Sequence, residues 1–164
     1  MARHGRCGAR RARTDVVGLI DDLGHGSVGV DTVAFIYFLE EHPKFLQVIL
    51  PVFREADAGR REVVTSALTL LEVLVVPYRA GNRSLAERYE VMLTRGRGVR
   101  LVDLSQDHLR AAAQLLAATG VKTPDAIQLA ASIGAGCKTF VTNDRRLPSI
   151  PGLRILELSA YAMS

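Results

Sequence analysis

Short apolar runs rich in β-branched residues alternate with longer stretches of helical periodicity along most of this chain. Residues 28–31, 62–66, 100–104, 138–143 and 153–158 read as strands. Between them lie helical patterns. One covers 32–41 and is followed by His42-Pro43, and a second covers 43–58 and stops at Gly59. A third covers 68–79, where Pro77 is expected to kink or shorten the end. Asn82 can cap a fourth that ends near Gly96, and Ser105 can cap a fifth over 106–118 with Gly120 beyond it. Thr123 reads as the N-cap of a sixth, with Pro124 at the first helical position and its end near Ile133.

Strands that alternate with helices imply parallel pairing, because each return to the sheet needs a crossover. The expected fold is α/β, a three-layer α/β/α sandwich around a central, mainly parallel five-stranded sheet. Ligands in such sheets bind at the carboxyl ends of the strands, where strand order reverses.

Against this pattern four acids stand out, in Val30-Asp31-Thr32, Leu71-Glu72-Val73, Thr123-Pro124-Asp125-Ala126 and Thr142-Asn143-Asp144. Each sets a carboxylate in or against a stretch that otherwise reads as core. Such a charge is costly unless something positive pairs with it. No Lys or Arg is close enough in sequence to serve all four. A divalent cation held by converging oxygens resolves this, since Mg²⁺ and Mn²⁺ favour carboxylate and water ligands.

Taken singly, each acid has a plainer explanation. Asp31 can cap the helix that begins near Thr32. Glu72 can lie on the exposed side of a helix, although the run Leu70-Leu71-Glu72-Val73-Leu74-Val75-Val76 has no polar face. Asp125 suits the first turn of a helix by its dipole, and Asn143-Asp144 suits an Asx turn. Their convergence on one edge of the sheet is what points to a site. Thr65 and Ser66, at the end of the second strand, can orient a carboxylate or phosphate there. Asp103 and Asp107 flank Ser105 as capping residues, and His25, His42 and His108 form no partner pattern. The sequence contains no phosphate-binding glycine loop, nucleophile elbow or zinc signature.

Length and composition narrow the setting. At 164 residues, 48% of them hydrophobic, the chain suits one domain with a sizeable core. No apolar run reaches the roughly 18 to 20 residues of a membrane span. The net charge of +4 is mostly local, because Arg3, Arg6, Arg10, Arg11 and Arg13 precede the first acid, Asp15. From Val28 onward 16 Lys and Arg face 14 Asp and Glu, so the body is only weakly basic. Residues 1–27 are therefore expected to be a disordered Arg/Gly-rich extension, a basic arm or an over-long assigned start. The folded domain is set at 28–159 and the tail at 160–164. Cys7 and Cys137 suggest neither a metal site nor a disulfide framework, which fits a reducing, cytoplasmic setting.

The chain resembles the PIN-domain family, and within it the VapC-like ribonuclease toxins of prokaryotic toxin–antitoxin pairs. The matching stretches, in the family's order, are Val30-Asp31-Thr32 with Ile36-Tyr37, Ser66-Ala67-Leu68-Thr69-Leu70-Leu71-Glu72-Val73, Thr123-Pro124-Asp125-Ala126-Ile127-Gln128-Leu129-Ala130 and Phe140-Val141-Thr142-Asn143-Asp144-Arg145-Arg146-Leu147. The resemblance implies a catalytic and metal-binding set of Asp31, Glu72, Asp125 and Asp144, holding Mg²⁺ or Mn²⁺ for hydrolysis of RNA phosphodiesters. Thr142 takes the usual hydroxyl position of the last motif. Asn143 is a candidate donor to a phosphate oxygen, and Arg145 and Arg146 are candidate grips on the substrate. The implied partners are RNA, an antitoxin whose carboxy-terminal segment covers the acidic cleft, and a second copy of the chain. The helices over 32–58 and 68–92 are candidates for the dimer surface. Two alternatives stay open: a non-catalytic nucleic-acid-binding or regulatory module on the same fold, and a receiver-like phosphoacceptor. The second is disfavoured because no acidic pair follows the first strand and no Lys follows Lys138.

Overall fold

Five parallel strands form an open sheet in the order β3-β2-β1-β4-β5 in a computed structural model that describes residues 18–162. The strands are β1 (Val28–Val30), β2 (Val63–Ser66), β3 (Val99–Val102), β4 (Thr139–Thr142) and β5 (Arg154–Glu157). The connections are α2 (Thr32–Leu39) and α3 (Leu46–Asp57), then α4 (Ala67–Arg79) and α5 (Arg83–Arg95), then α6 (Gln106–Thr119) and α7 (Thr123–Gly134). A short helix, α1 (Leu19–Leu23), precedes the sheet. The expected α/β sandwich with a parallel five-stranded sheet is the one observed.

Strand alternation decides which face each residue serves. Val28 and Val30 of β1, Val63 of β2 and Val141 of β4 belong to one core cluster. They share it with Leu19 and Leu23 of α1, Phe35 of α2, Ile49 and Phe53 of α3, and Leu93 of α5. Val64 and Phe140, their neighbours along the strands, pack on the opposite face, which α7 covers with Leu129 and Ala131. Gly29 of β1 faces α7 as well. A methyl at this position would meet the Phe140 ring at 2.7 Å and also clash with the Ser132 side chain, so only glycine lets α7 approach the central strand this closely.

Several element boundaries differ from expectation. Helix α3 begins at Leu46 rather than Pro43, because the His42 ring closes a separate turn by accepting from the Lys44 and Phe45 backbone amides at 3.1 and 3.3 Å. The N-cap of α7 is Lys122, not Thr123: the Ala126 amide bonds the Lys122 carbonyl at 3.0 Å, which places Thr123 inside the first turn. Pro77 sits inside α4, which nevertheless runs on to Arg79. Asn82 and Ser105 cap α5 and α6 as expected.

The domain boundary expected at Val28 falls within packed structure. Leu19 and Leu23 are buried, and the Thr139 hydroxyl donates to the Leu23 carbonyl at 3.3 Å. Tyr161, in the expected tail, donates its hydroxyl to Asp22 at 2.6 Å. The arginine-rich stretch from Arg3 to Arg13, Cys7 and residues 163–164 lie outside the described residues.

The chain builds β1, β2 and β3 outward to one side, then returns to place β4 and β5 on the other side of β1. The order reverses between β1 and β4, and the crevice beyond their carboxyl ends is the natural binding position of the fold.

Candidate active site

Asp31 is the first residue beyond β1. Its amide extends the ladder to the Val141 carbonyl of β4 at 2.9 Å, which fixes the residue at the sheet's switch point. The side chain is held by two donors. The Thr32 amide reaches Oδ1 at 2.7 Å, making Asp31 the N-cap of α2, and the Thr142 hydroxyl, at the end of β4, reaches Oδ2 at 2.8 Å. Capping and a functional role therefore coexist at this residue. Burial pushes the Asp31 carboxyl up to about 6. The two hydrogen bonds pull it down, and the negative charges of Asp125 and Glu72 add to the rise. No Lys or Arg pairs with it among the described residues.

Glu72 lies on α4, half-buried, and its Oε2 accepts from the Thr32 hydroxyl. It thus points inward from a helix whose other apolar residues at Leu71, Val75, Val76 and Tyr78 are exposed. Asp125 lies in the first turn of α7. Burial raises its carboxyl, and the neighbouring charge of Asp144 raises it further, while Lys122 and Arg146 act the other way. The structure therefore brings Glu72 and Asp125 each within electrostatic reach of Asp31.

Asp144 is placed differently. Its amide bonds the Thr142 hydroxyl at 3.0 Å, so Thr142 links Asp31 to Asp144. Both of its carboxylate oxygens are taken by Arg146, whose Nε reaches Oδ1 at 2.9 Å and whose Nη2 reaches Oδ2 at 2.8 Å. Those hydrogen bonds hold the Asp144 carboxyl down at about 2. One sequence-adjacent arginine does, then, serve one of the four acids.

The other candidates are engaged within the fold. Asn143 donates to the Tyr37 hydroxyl at 3.1 Å and accepts from the Ser159 amide at 3.0 Å, so it braces α2 and the chain's last turn against the end of β4. Arg145 pairs with Glu157 of β5 at 2.8 Å and donates to the Ser159 hydroxyl at 3.1 Å. Sequence reading passed over Lys122, an exposed cation whose charge lowers both Asp125 and Asp144. It also passed over Gln128, which is buried on α7 one turn beyond Asp125. The available signal was a lone amide in the apolar run Ala126-Ile127-Gln128-Leu129-Ala130, on the helix face that carries Asp125.

The donor set tests whether a divalent ion suits the site. Asp31, Glu72 and Asp125 are hard oxygen ligands at a partly buried position where no cation pairs with Asp31 among the described residues, which fits Mg²⁺ or Mn²⁺ in kind. Among the described residues no three His, Cys, Asp or Glu side chains are gathered closely enough to hold an ion as they stand. Ion binding therefore requires the carboxylates to draw together, and Asp144 would first have to leave Arg146.

A family model described as PIN domain matches residues 28–153. The chain is similar to the structure of VapBC2 from Rickettsia felis bound to a DNA fragment from their promoter, with 18% identity over 80% of this chain and 98% of the other and a TM-score of 0.61. It is also similar to DNA-bound VapBC from Salmonella typhimurium, with 22% identity over 82% and 99% of the two chains and a TM-score of 0.55. A third similar structure is Mycobacterium tuberculosis VapC20, described as a sarcin-ricin loop cleaving toxin, with 16% identity over 70% and 86% and a TM-score of 0.57. At these identities the likeness is one of fold. Comparison with curated protein sequences gives no match.

Proposed function

The chain belongs to the PIN-domain family, and from that premise we propose that it is an Mg²⁺- or Mn²⁺-dependent endoribonuclease, the toxin of a toxin–antitoxin pair. The observation that carries this reading is the unpaired, partly buried Asp31 at the switch point, with Asp125 and Glu72 adding negative charge around it. A fold does not maintain such a repulsive arrangement for stability, and perturbed acids of this kind cluster where a cation or substrate is handled.

Asp31, Glu72 and Asp125 are the residues that would hold the ion, with Asp144 completing the set once free of Arg146. A bound divalent ion supplies charge neutralisation and lowers the pKa of a water molecule. The chain's own contribution is orientation. The Thr32 amide and Thr142 hydroxyl fix both Asp31 oxygens, and the Thr32 hydroxyl fixes Glu72. Lys122 and Arg146, both exposed, are suited to meet the phosphates of an RNA strand. Arg145 is tied to Glu157 and would have to break that pair to do so.

The exposed apolar stripe of Leu71, Val75, Val76 and Tyr78 on α4 supports a protein partner, either the antitoxin or a second copy of the chain. No described helix is long and apolar enough to cross a membrane, and the setting we propose is cytoplasmic. The non-catalytic alternative draws on the separation of the carboxylates as they stand and on the occupied Asp144; the presence of all four acids in the sequence weighs against it.

Purified, partner-free protein should cleave RNA with Mg²⁺ or Mn²⁺ and not with EDTA, and Asp31→Ala and Asp125→Ala should each abolish the activity. Cleavage that survives both substitutions would place the chemistry elsewhere. Failure to cleave RNA, with Mn²⁺ binding intact, would favour the binding module.

A further inference from the structure

Beneath Glu72 lies a closed set of buried polar side chains contributed by four elements: Thr32 of α2, Thr65 of β2, Thr69 of α4 and Gln128 of α7. Thr65 and Thr69 are 0% exposed and Gln128 is 2% exposed. Four polar side chains in so small a buried volume must share their hydrogens consistently, and this constraint makes the network directional.

Gln128 sets the direction. Its Oε1 accepts from the Ser66 backbone amide at 3.2 Å and from the Thr65 hydroxyl at 3.4 Å. Turning the amide over would set its NH₂ against the Ser66 N–H, donor against donor, so the orientation is fixed. Nε2 then spends its two hydrogens on Thr69 Oγ1 at 2.6 Å and Thr32 Oγ1 at 3.1 Å.

Each threonine has a single hydrogen to give. The Thr69 hydroxyl lies 2.7 Å from Thr65 and 3.0 Å from Thr32, and its hydrogen can go to either. In both arrangements Thr32 receives the amide hydrogen on a lone pair and keeps its own hydrogen for the Glu72 carboxylate, which has only lone pairs to offer. If Thr32 turned its hydrogen toward Thr69, its oxygen would face the Glu72 oxygen with lone pairs on both sides. Gln128 thus anchors the Thr32 oxygen from one side while Glu72 takes the Thr32 hydrogen on the other.

The same side chain ties α7, which carries Asp125, to Thr32, the neighbour of Asp31, and to α4, which carries Glu72. One buried amide therefore links the three elements that carry the acids.

We infer that Gln128 is a positioning residue of the acidic site, acting through Thr32 to hold Glu72 in its ion-binding orientation. The inference rests on the metal-dependent reading above and names a residue that touches neither ion nor substrate.

The test is Mn²⁺ affinity, measured by calorimetry and by the electron paramagnetic resonance signal of the free ion. The proteins are wild type, Thr32→Val, Thr32→Ser, Gln128→Met and the double variant Thr32→Val/Gln128→Met. Melting in EDTA confirms that each is folded. Loss of an outer-shell partner weakens metal binding about 10–100-fold. Thr32→Val and Gln128→Met should each do so, while Thr32→Ser, which keeps the hydroxyl, should bind as wild type does.

The decisive comparison is the double variant. If Gln128 acts through Thr32, removing it after Thr32 has lost its hydroxyl adds nothing, and the double variant binds Mn²⁺ as weakly as Thr32→Val alone. A generally loosened fold would instead make the two losses multiply, and that result overturns the inference. So does wild-type affinity in Gln128→Met. If Gln128→Met does not fold, Gln128→Asn, polar but one methylene too short, replaces it with the same expectations. Wild-type protein that binds Mn²⁺ and cleaves RNA while the cycle fails would sink only the role of Gln128. Wild-type protein that binds no Mn²⁺ would sink the metal-dependent reading and this inference together.

Discussion

Asp31→Asn should make the metal-free protein more stable at neutral pH, although it removes a residue of the proposed active site. Burial moves the Asp31 carboxyl from 3.8 to about 6. Each pH decade between the two values is worth about 1.4 kcal/mol, so keeping Asp31 ionised in the fold costs about 3 kcal/mol at pH 7.5. Asparagine carries no charge and caps a helix as well as aspartate does, so the bond from the Thr32 amide survives. It loses the bond from the Thr142 hydroxyl, worth about 1 kcal/mol. The net gain is about 2 kcal/mol, or roughly 4–8 °C in Tm for a domain of this size.

The sign with pH follows from the raised value. Below 3.8 Asp31 is protonated in the folded and unfolded chain alike, and its contribution to stability is complete. That contribution is lost as pH rises through about 6. The advantage of Asp31→Asn should therefore be absent near pH 4, grow between pH 4 and 7, and then level off. Thermal melting in EDTA across this range measures it directly. An ion at 100 times its Kd restores about 2.7 kcal/mol to the wild type alone, which erases the variant's lead. A variant that is less stable than wild type at pH 7.5, or whose gain is the same at pH 4 and pH 7.5, refutes the premise that Asp31 is desolvated without a countercharge.

Two further substitutions probe other parts of the structure. Arg146→Ala frees both Asp144 oxygens, so Mn²⁺ should bind more tightly by calorimetry while melting in EDTA stays unchanged, because the pair is exposed. Weaker binding would show that Arg146 presents Asp144 to the ion rather than withholding it. Leu23→Ala removes a side chain that is only 3% exposed and should cost about 2–5 kcal/mol in urea unfolding. A cost near zero would mean that α1 lies outside the cooperative fold.

The sheet was legible in the sequence because most strands are short β-branched runs between turn residues, a signal that survives without knowledge of tertiary contacts. The helix starts were less so. His42 ends its turn with a ring nitrogen, and Lys122 caps α7 with no side-chain bond, so neither carries the Ser, Thr, Asp or Asn signature of an N-cap. Helix α1 was missed because Leu19-Ile20-Asp21-Asp22-Leu23 is a single turn and a fraction, too short for periodicity to declare itself beside an arginine-rich stretch. The four acids could be found because a carboxylate among apolar residues is conspicuous. Gln128 could not be found the same way, because a neutral amide in a helix excites no comparable suspicion and its four partners come from residues as far apart as Thr32 and Thr69. The Asp144–Arg146 pair was hidden for a different reason: two residues apart, they read as a solvated turn until the geometry shows both oxygens occupied.

The acids at this site are in opposite electrostatic states, and this bears on the order in which the site would fill. Asp31 is partly buried, raised, and flanked by the like charges of Asp125 and Glu72, with no cation paired to it among the described residues. A divalent ion arriving there relieves desolvation and repulsion together. Asp144 is already neutralised by a guanidinium on both oxygens, so an ion gains there only the difference between itself and Arg146, and must also displace a bidentate pair. On the proposed reading the first ion would therefore be held by Asp31, Glu72 and Asp125. Asp144 enters only when Arg146 swings away, and a nearby phosphate chain is a competing acceptor that could draw the arginine off. On the proposed reading, substrate and ion binding are then linked through one residue: RNA that engages Arg146 releases the fourth carboxylate at the moment the site needs it.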